Sequence, residues 1–468
     1  MNLQSLSFLV FFTALLLLTL LIARRERLYA ERVLLLGSLV FAFSFGRGAV
    51  LLLFSAWLTA FAADCLSRGF QNRKTILIAA CVYHLAVLCF FKYAGFFTGK
   101  SILMPVGISF FTFQQLWYLK ECYEGSFAAV PCRRWLLASF FFPTLLSGPI
   151  LRPGALLPQL DTTAFRPDFS DAAAGLYGIS IGLAKKVLLA DNFARIVNKG
   201  WDFLGDLTAP EAWCLILGYT LQLYFDFSGY CDLATGLARM FSIRLPRNFD
   251  SPYRSLSIGE FWKRWHITLT DFLRECVYFP LGGSRRGKKR TWLNILIIFL
   301  ISGLWHGAGW GFVVWGLGHG ALQCLERAMG EAKLQKLPKP LRWLGCFTLV
   351  NLLWVFFRAP DLSSAFTLLR IGCGNPFFLP ADWLASDLFP TEKEALFFLF
   401  PAAKELFGGL VTPVLLALGT LLALIGTNAR RVMDDFRPTV FRGILTAVLL
   451  TASILSFSQV STFLYVNF

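Results

Sequence analysis

Charge is what this sequence has least of. Of its 468 residues only 15% are Asp, Glu, Lys or Arg, against 56% apolar, and the mean hydropathy is +0.60. A soluble domain carries about a quarter of its residues as charge to solvate its surface, so a soluble globular protein is excluded. Cysteine is scattered as eleven single residues with no C-x-x-C pair. Most of these lie in apolar blocks (Cys81, Cys89, Cys214, Cys346), where the thiol behaves as a small hydrophobe. Neither a disulfide framework nor a zinc site is expected. No G-x-x-x-x-G-K-[ST] run is present, which argues against ATP-driven transport, and no His, Cys and carboxylate cluster has metal-ligand spacing. Acidic residues are the scarcer sign, giving a net charge of +16. The basic surplus sits in short loops between apolar blocks (Arg24, Arg25, Arg27; Arg133, Arg134; Arg285, Arg286, Lys288, Lys289, Arg290). Such loops lie on the cytoplasmic side of membrane proteins, so no nucleic-acid partner is expected.

Apolar blocks of about 17–25 residues recur along the chain, long enough to cross a bilayer as helix. We expect an all-α polytopic membrane protein, a single domain over residues 1–468 with a catalytic core at 101–325. Spans are expected at 5–23, 33–65 (two, divided near Gly46–Gly48), 75–97, 172–190, 211–225, 291–306, 310–325, 341–357, 408–426 and 443–460. Shorter pieces at 103–118 and 135–150 contain Pro, Gly and Gln and are expected to be re-entrant, or broken and buried against protein. The first block, Leu6–Ile22, is followed by its positive cluster, which fits an uncleaved span beginning outside the cytoplasm. Basic connections at 285–290, 327–342 and 430–442 are assigned to the cytoplasm, and the acidic stretch 359–405 to the outside, placing His306 towards the external face.

Three of the four histidines fall between Leu221 and Gly320, and an ionisable group in an apolar block is a functional candidate by default. His306 lies in Gly303-Leu304-Trp305-His306-Gly307-Ala308-Gly309, where the glycines admit a close backbone or substrate, Trp305 walls a cavity, and the imidazole suits a general base. The competing reading is helix packing with a hydrogen-bonded histidine. His266 lies in a segment expected to be one amphipathic helix, opened by a Ser257/Glu260 capping box. Phe261, Trp262, Trp265 and Leu269 form its apolar stripe, and Asp271 pairs with Arg274. An interfacial anchor explains the Trp and basic residues but not a His between Trp265 and Ile267. His319 follows His306 by thirteen positions, about 220° around a continuous helix, so it shares the site only if the chain bends; it is read as structural, as is His84. Upstream, Asp226, Ser228 and Asp232 need partners in lipid, and Arg239, Arg244, Arg247 and Arg254 are the expected ones. The same arginines suit the phosphates of a cytosolic acyl carrier, while a purely structural ion-pair lattice fits them equally.

These segments resemble the membrane-bound O-acyltransferase family, in its alginate O-acetyltransferase branch. The likeness runs through Met104-Pro105-Val106-Gly107-Ile108-Ser109-Phe110-Phe111, Ser147-Gly148-Pro149-Ile150, Tyr224-Phe225-Asp226-Phe227-Ser228-Gly229-Tyr230, Pro246-Arg247-Asn248-Phe249 and Pro252-Tyr253-Arg254-Ser255. It continues through Phe261-Trp262-Lys263-Arg264-Trp265-His266-Ile267, Tyr278-Phe279-Pro280-Leu281-Gly282-Gly283, Gly303-Leu304-Trp305-His306-Gly307, Trp354-Val355-Phe356-Phe357-Arg358-Ala359 and Phe463-Leu464-Tyr465. One departure is Thr270-Asp271, where the branch has a bulky apolar residue second. The resemblance implies about 10–12 transmembrane helices around a central tunnel, with His306 as catalytic histidine and His266 as its companion across the tunnel. It implies an acetyl or other acyl group taken from acyl-CoA, with no bound cofactor, and passed to an exported polysaccharide through an extracytoplasmic esterase-like relay protein. His266 would then orient or polarise the thioester carbonyl. Asp226, Ser228, Tyr230, Asp232, Asn248, Arg254, Trp262, Arg264 and Trp305 are the candidate substrate-binding residues, with membrane lipid as the surrounding partner. A teichoic-acid D-alanyl transferase shares the histidine pair and is the nearest rival; a polymer transporter or an inert scaffold is the rival of another class.

Overall fold

The computed structural model describes residues 1, 3–100, 102–163, 165–374, 411–426 and 428–457, with isolated positions at Leu384, Leu388, Phe389, Lys393, Ser461, Phe463 and Leu464. Most of the expected acidic external loop, the start of the 408–426 span and Tyr465 lie outside the described residues. The described residues are helical, with no strand. Among the described residues, five helices are long and apolar enough to cross a membrane: α1 (Leu6–Ala23), α3 (Gly48–Ser67), α4 (Arg73–Thr98), α7 (Phe169–Asp202) and α13 (Lys339–Arg358). Between them lie α2 (Arg27–Phe43), α5 (Ile108–Glu124), α6 (Cys132–Phe140), α8 (Ala209–Arg239), α9 (Ile258–Arg264), α10 (Ile267–Leu273), α11 (Lys288–His306) and α12 (Trp310–Met329). The chain continues through α14 (Leu362–Gly372), α15 (Val411–Ile425), α16 (Ala429–Asp434) and α17 (Val440–Leu455). The expected break at Gly46–Gly48 separates α2 from α3.

Burial sorts these helices into two kinds. α1, α3, α4, α15 and α17 expose large apolar side chains such as Val10, Leu21, Phe61, Val82, Phe90, Ile425 and Ile444, a surface that only lipid tolerates in such quantity. α8 is buried almost all round from Leu215 to Arg239, polar residues included, so it forms the centre. Its first turn is closed by a capping box between Thr208 and Glu211, and at 31 residues it runs well past the expected 211–225. α5 is likewise buried on nearly every face, and the 103–118 piece is a short non-helical entry, ending in a turn at Gly107, followed by one regular helix. The 135–150 piece does break, at Phe141, where α6 gives way to a run of turns over 142–147.

α7 and α8 cross in direct backbone contact. A Cβ on Gly182 would sit 2.5 Å from Leu233 N, and one on Gly236 would sit 2.6 Å from Gly175 O. This is the small-residue packing that lets helices approach where hydrophobic association is weak. It also accounts for Gly178-Ile179-Ser180-Ile181-Gly182, a run with G-x-S-x-G spacing. The segment is mid-helix and Ser180 Oγ donates to Tyr177 O, whereas a nucleophile elbow needs a strand-to-helix turn. Gly182→Val is expected to cost about 1–3 kcal/mol by overpacking, read as a lower thermal midpoint of the detergent-extracted protein.

A π-helical turn at Lys185–Ala190 interrupts α7 and presents both lysines to α8. Lys185 Nζ lies 2.6 Å from Asp232, and Lys186 Nζ lies 2.8 Å from both Asp226 and Asp191. The arginines expected to pair these aspartates go elsewhere: Arg239 to Asp171 and Asp434, Arg244 to Asp171, Arg247 to Asp250, and Arg254 to the carbonyls of Leu424 and Gly426. Arg239 is the last residue of α8 and the others follow it, too far along the chain to reach back to Asp226 and Asp232, while α7 lies alongside. Residues far along the chain complete the cluster. Ser461 Oγ donates to Asp191 at 2.6 Å and accepts from Lys186 at 3.1 Å. Leu464 N donates to Asp226 at 2.9 Å, and Phe463 is buried against Tyr230. His84 meets Thr59 Oγ1 at 2.7 Å, in keeping with its structural reading.

Candidate active site

The expected single helix around His266 is two. α9 stops at Arg264, His266 takes φ +44° and ψ +54°, and α10 starts at Ile267. This left-handed conformation costs a non-glycine residue about 1–3 kcal/mol and is held where the surroundings over-determine it. The surroundings are visible. Backbone 248–250 inserts at the break, with Asp250 N donating to Arg264 O at 2.9 Å and Ile267 N to Asn248 O at 3.0 Å. The start of α9 is capped by Ser257 and by Glu326 of α12, which accepts from Ile258 N and Gly259 N at 2.6 and 3.0 Å. Nor is the segment a surface helix: Phe261, Trp262, Trp265, His266 and Leu269 are all buried. The stripe faces protein because α12 and α13 cover it with Trp315 and Trp354, at ring distances of 5.8 Å from Trp262 and 5.1 Å from Trp265. Asp271 and Arg274 do pair, at 2.7 Å.

Asn248 fixes the His266 ring. Its Oδ1 accepts from Thr268 N at 3.1 Å and Thr268 Oγ1 at 2.9 Å. A backbone N–H can only donate, so the amide orientation is set, and His266 Nδ1, 3.2 Å from the same oxygen, must carry a proton. His306 is fixed in the same sense, because its Nδ1 lies 2.7 Å from Ser302 O, which can only accept. Both neutral rings therefore present Nε2 as the basic nitrogen. The expectation that His266 polarises a thioester carbonyl is met only by its protonated form; neutral, it is a second proton acceptor. Asn248→Ala is expected to lower turnover about 10- to 100-fold by releasing the ring, measured per folded enzyme.

Trp305 stands between the two histidines, with ring distances of 6.1 Å to His266 and 4.8 Å to His306. Phe110 and Phe113 of α5 close on Trp305 at 5.2 Å each, and its Nε1 donates to Ser109 O. The chain does bend after His306. α11 and α12 form a hairpin in which a Cβ on Gly303 would meet Phe312 O at 2.3 Å and one on Gly316 would meet Phe299 O at 2.4 Å. The bend brings His319 to the same aromatic cluster: its Nδ1 accepts from Trp262 Nε1 at 3.2 Å, and its ring is 5.3 Å from Trp315, itself 4.9 Å from His306.

The remaining candidates divide. Asn248 and Trp305 touch a histidine directly. Ser228, Asp232 and Asn248 line a polar cavity of about 20 Å³ with Lys185, Arg247 and Arg430. Arg254 and Arg264 line a larger one of about 250 Å³ with Asp250 and Arg431, and Asn428 borders both. Asp226 is enclosed in the lysine cluster, Tyr230 donates to Pro143 O, and Trp262 is turned to His319. Sequence reasoning missed Lys185, Lys186 and Lys92. All three are charges inside apolar blocks, the signal that singled out the histidines. Among the described residues no cluster of His, Cys, Asp and Glu has the arrangement to hold a metal ion.

The profile of the family described as "MBOAT, membrane-bound O-acyltransferase family" matches residues 136–361, a stretch that contains both histidines. The chain is similar to a "Peptidoglycan O-acetyltransferase" of Helicobacter pylori, 39% identical over 64% of each chain, so it spans a little under two thirds of that relative. It is similar to a "Probable alginate O-acetylase AlgI" of Pseudomonas aeruginosa, 37% identical over 77% of this chain and 72% of the other. A "Teichoic acid D-alanyltransferase" of Bacillus subtilis is more distant, 28% identical over 52% of this chain and 63% of its own. With these matches spread along one buried, histidine-bearing helical core, the chain belongs to the membrane-bound O-acyltransferase family, as a multi-pass membrane protein.

Proposed function

We propose that this chain transfers an acetyl group from acetyl-CoA in the cytosol to hydroxyls of an exported polysaccharide, by way of an extracytoplasmic esterase-like relay protein. The observation that carries the reading is the histidine pair packed on Trp305, each ring held by Nδ1 so that Nε2 is the proton acceptor. In the reaction His306 Nε2 takes the proton of the attacking hydroxyl, whose oxygen bonds to the thioester carbonyl carbon. The carbon–sulfur bond then breaks, and the imidazolium returns the proton to the leaving thiolate, giving ester and free CoA thiol. Burial of both rings excludes bulk water, which strengthens each polar contact and protects the thioester from hydrolysis.

Donor entry is assigned to the two cavities that Asn428 lines. Arg254, Arg264 and Arg431 in the larger one suit phosphate oxygens, which guanidinium binds in a planar fork. The smaller one is lined in part by Asn248, which holds His266. The acetyl group is preferred to D-alanine because the acetyl-transferring relatives are the more similar, at 37–39% against 28% identity. The test uses membranes containing the full chain and its relay partner, supplied with radiolabelled acetyl-CoA, followed by purification of the extracellular polysaccharide. Alkali-labile label on the polymer is the expected result. Label that appears only from a D-alanyl carrier moves the chain to the other branch.

A further inference from the structure

An amine inside an apolar span is costly, and such groups are retained for a partner or a task. Lys92 is one, six residues before the end of α4, and its contacts converge on one place. Its Nζ donates to Trp305 O and to Ser109 Oγ, the latter at 3.3 Å, and lies 5.5 Å from the Trp305 ring centroid. The next residue, Tyr93, donates its hydroxyl to Leu304 O.

These contacts satisfy two of the last carbonyls of α11. The last carbonyls of a helix have no intrahelical donor and carry the negative end of its dipole. Here Gly303 O accepts from Gly307 N, while Leu304 O and Trp305 O are taken by two side chains of α4. Ser302 O, one position earlier, accepts from His306 Nδ1. The His306 ring is thus tethered to its own last turn, and that turn is tethered to α4. Gly307 and Gly309 follow at once, so α11 does not continue past His306 to support the ring from its C-terminal side.

We propose that Lys92, assisted by Tyr93, is a positioning residue for His306: it clamps the final turn of α11 and the Trp305 ring, and so sets where the imidazole points. The proposal rests on the acyl-transfer reading of His306. The ammonium suits this post better than a neutral donor because it meets the helix's negative end, a carbonyl and the face of an indole together.

The test compares wild type, Lys92→Met, Lys92→Arg and Tyr93→Phe as full chains in lipid nanodiscs. Lys92→Met is expected to lower kcat for acetyl transfer by about 30- to 100-fold with KM for acetyl-CoA nearly unchanged, as misplacement of a catalytic group does. Lys92→Arg, which keeps the cation, is expected to recover most of the loss, and Tyr93→Phe to cost a few-fold. A second readout does not depend on the donor. The chain has four histidines, so His306 can be assigned in nitrogen-labelled solid-state NMR spectra by its loss in His306→Gln. Wild type is expected to show one tautomer with Nδ1 protonated, and Lys92→Met a mixture of tautomers. A wild-type His306 spectrum in Lys92→Met overturns the proposal, as does an unchanged kcat per folded enzyme. If wild type is inactive with acetyl-CoA while Lys92→Met still shows the tautomer change, the donor reading alone fails.

Discussion

His306→Gln is expected to remove acetylation of the extracellular polysaccharide, lowering transfer by about 10²- to 10⁴-fold, the range for loss of a general base. Glutamine keeps a polar group of similar reach but cannot take a proton from a hydroxyl. The neighbouring structure has little reason to change: Trp305 stays pinned by Ser109 O, and the hairpin stays closed through Gly303 and Gly316. The measurement is polymer acetyl content in cells with membrane levels of the two proteins shown equal. Acetylation that persists would make the chain an inert scaffold. His266→Ala is expected to be the milder change, because its Nε2 duplicates the proton-accepting character of His306 instead of complementing it. A loss as large as that of His306→Gln would instead place His266 in the reaction as imidazolium.

The largest expected effect on stability is at Lys186. Its side chain is 1% exposed and it pairs with both Asp226, 3% exposed, and Asp191, 8% exposed. Lys186→Met leaves two carboxylates facing each other in a dry interior, and breaking a buried pair costs about 3–5 kcal/mol. Replacing all three together by apolar residues of similar volume is expected to recover most of that, since the desolvation penalty is removed with the charges. Thermal unfolding of the extracted protein, followed by tryptophan fluorescence, distinguishes the cases. If Lys186→Met unfolds like wild type, the carboxylates are protonated and the cluster is not ionic.

The membrane class, the order of the helices and the two histidines were legible in the sequence, because long apolar blocks and ionisable groups within them each have a direct physical cost. Partnerships across helices were not. Asp226 and Asp232 announced a need for cations, but the nearest in sequence were arginines at and beyond the end of α8. The actual partners, Lys185 and Lys186, are adjacent residues that reach two carboxylates six positions apart through the π-helical turn of α7, a local shift in register that spacing does not reveal. The break at His266 was hidden for a similar reason. Residues 257–274 have sound helical periodicity, and it is the insertion of backbone 248–250 that divides them. Asn248 entered as a candidate substrate-binding residue through the family resemblance, yet its amide oxygen is directed at His266 and Thr268.

The link between Leu464 and Asp226 has a consequence for biosynthesis. The two are 238 residues apart, so at about 5–20 residues per second a ribosome takes on the order of tens of seconds to supply Leu464 after Asp226. Throughout that interval α7 and α8 are in the bilayer with their carboxylates incompletely capped and the Phe463 slot beside Tyr230 open. The nascent chain then has to be sheltered by insertion machinery instead of by its own packing. Lesions near residue 464 should accordingly be seen by quality-control proteases first, as shortened lifetime of the newly made chain, before any catalytic defect can be read.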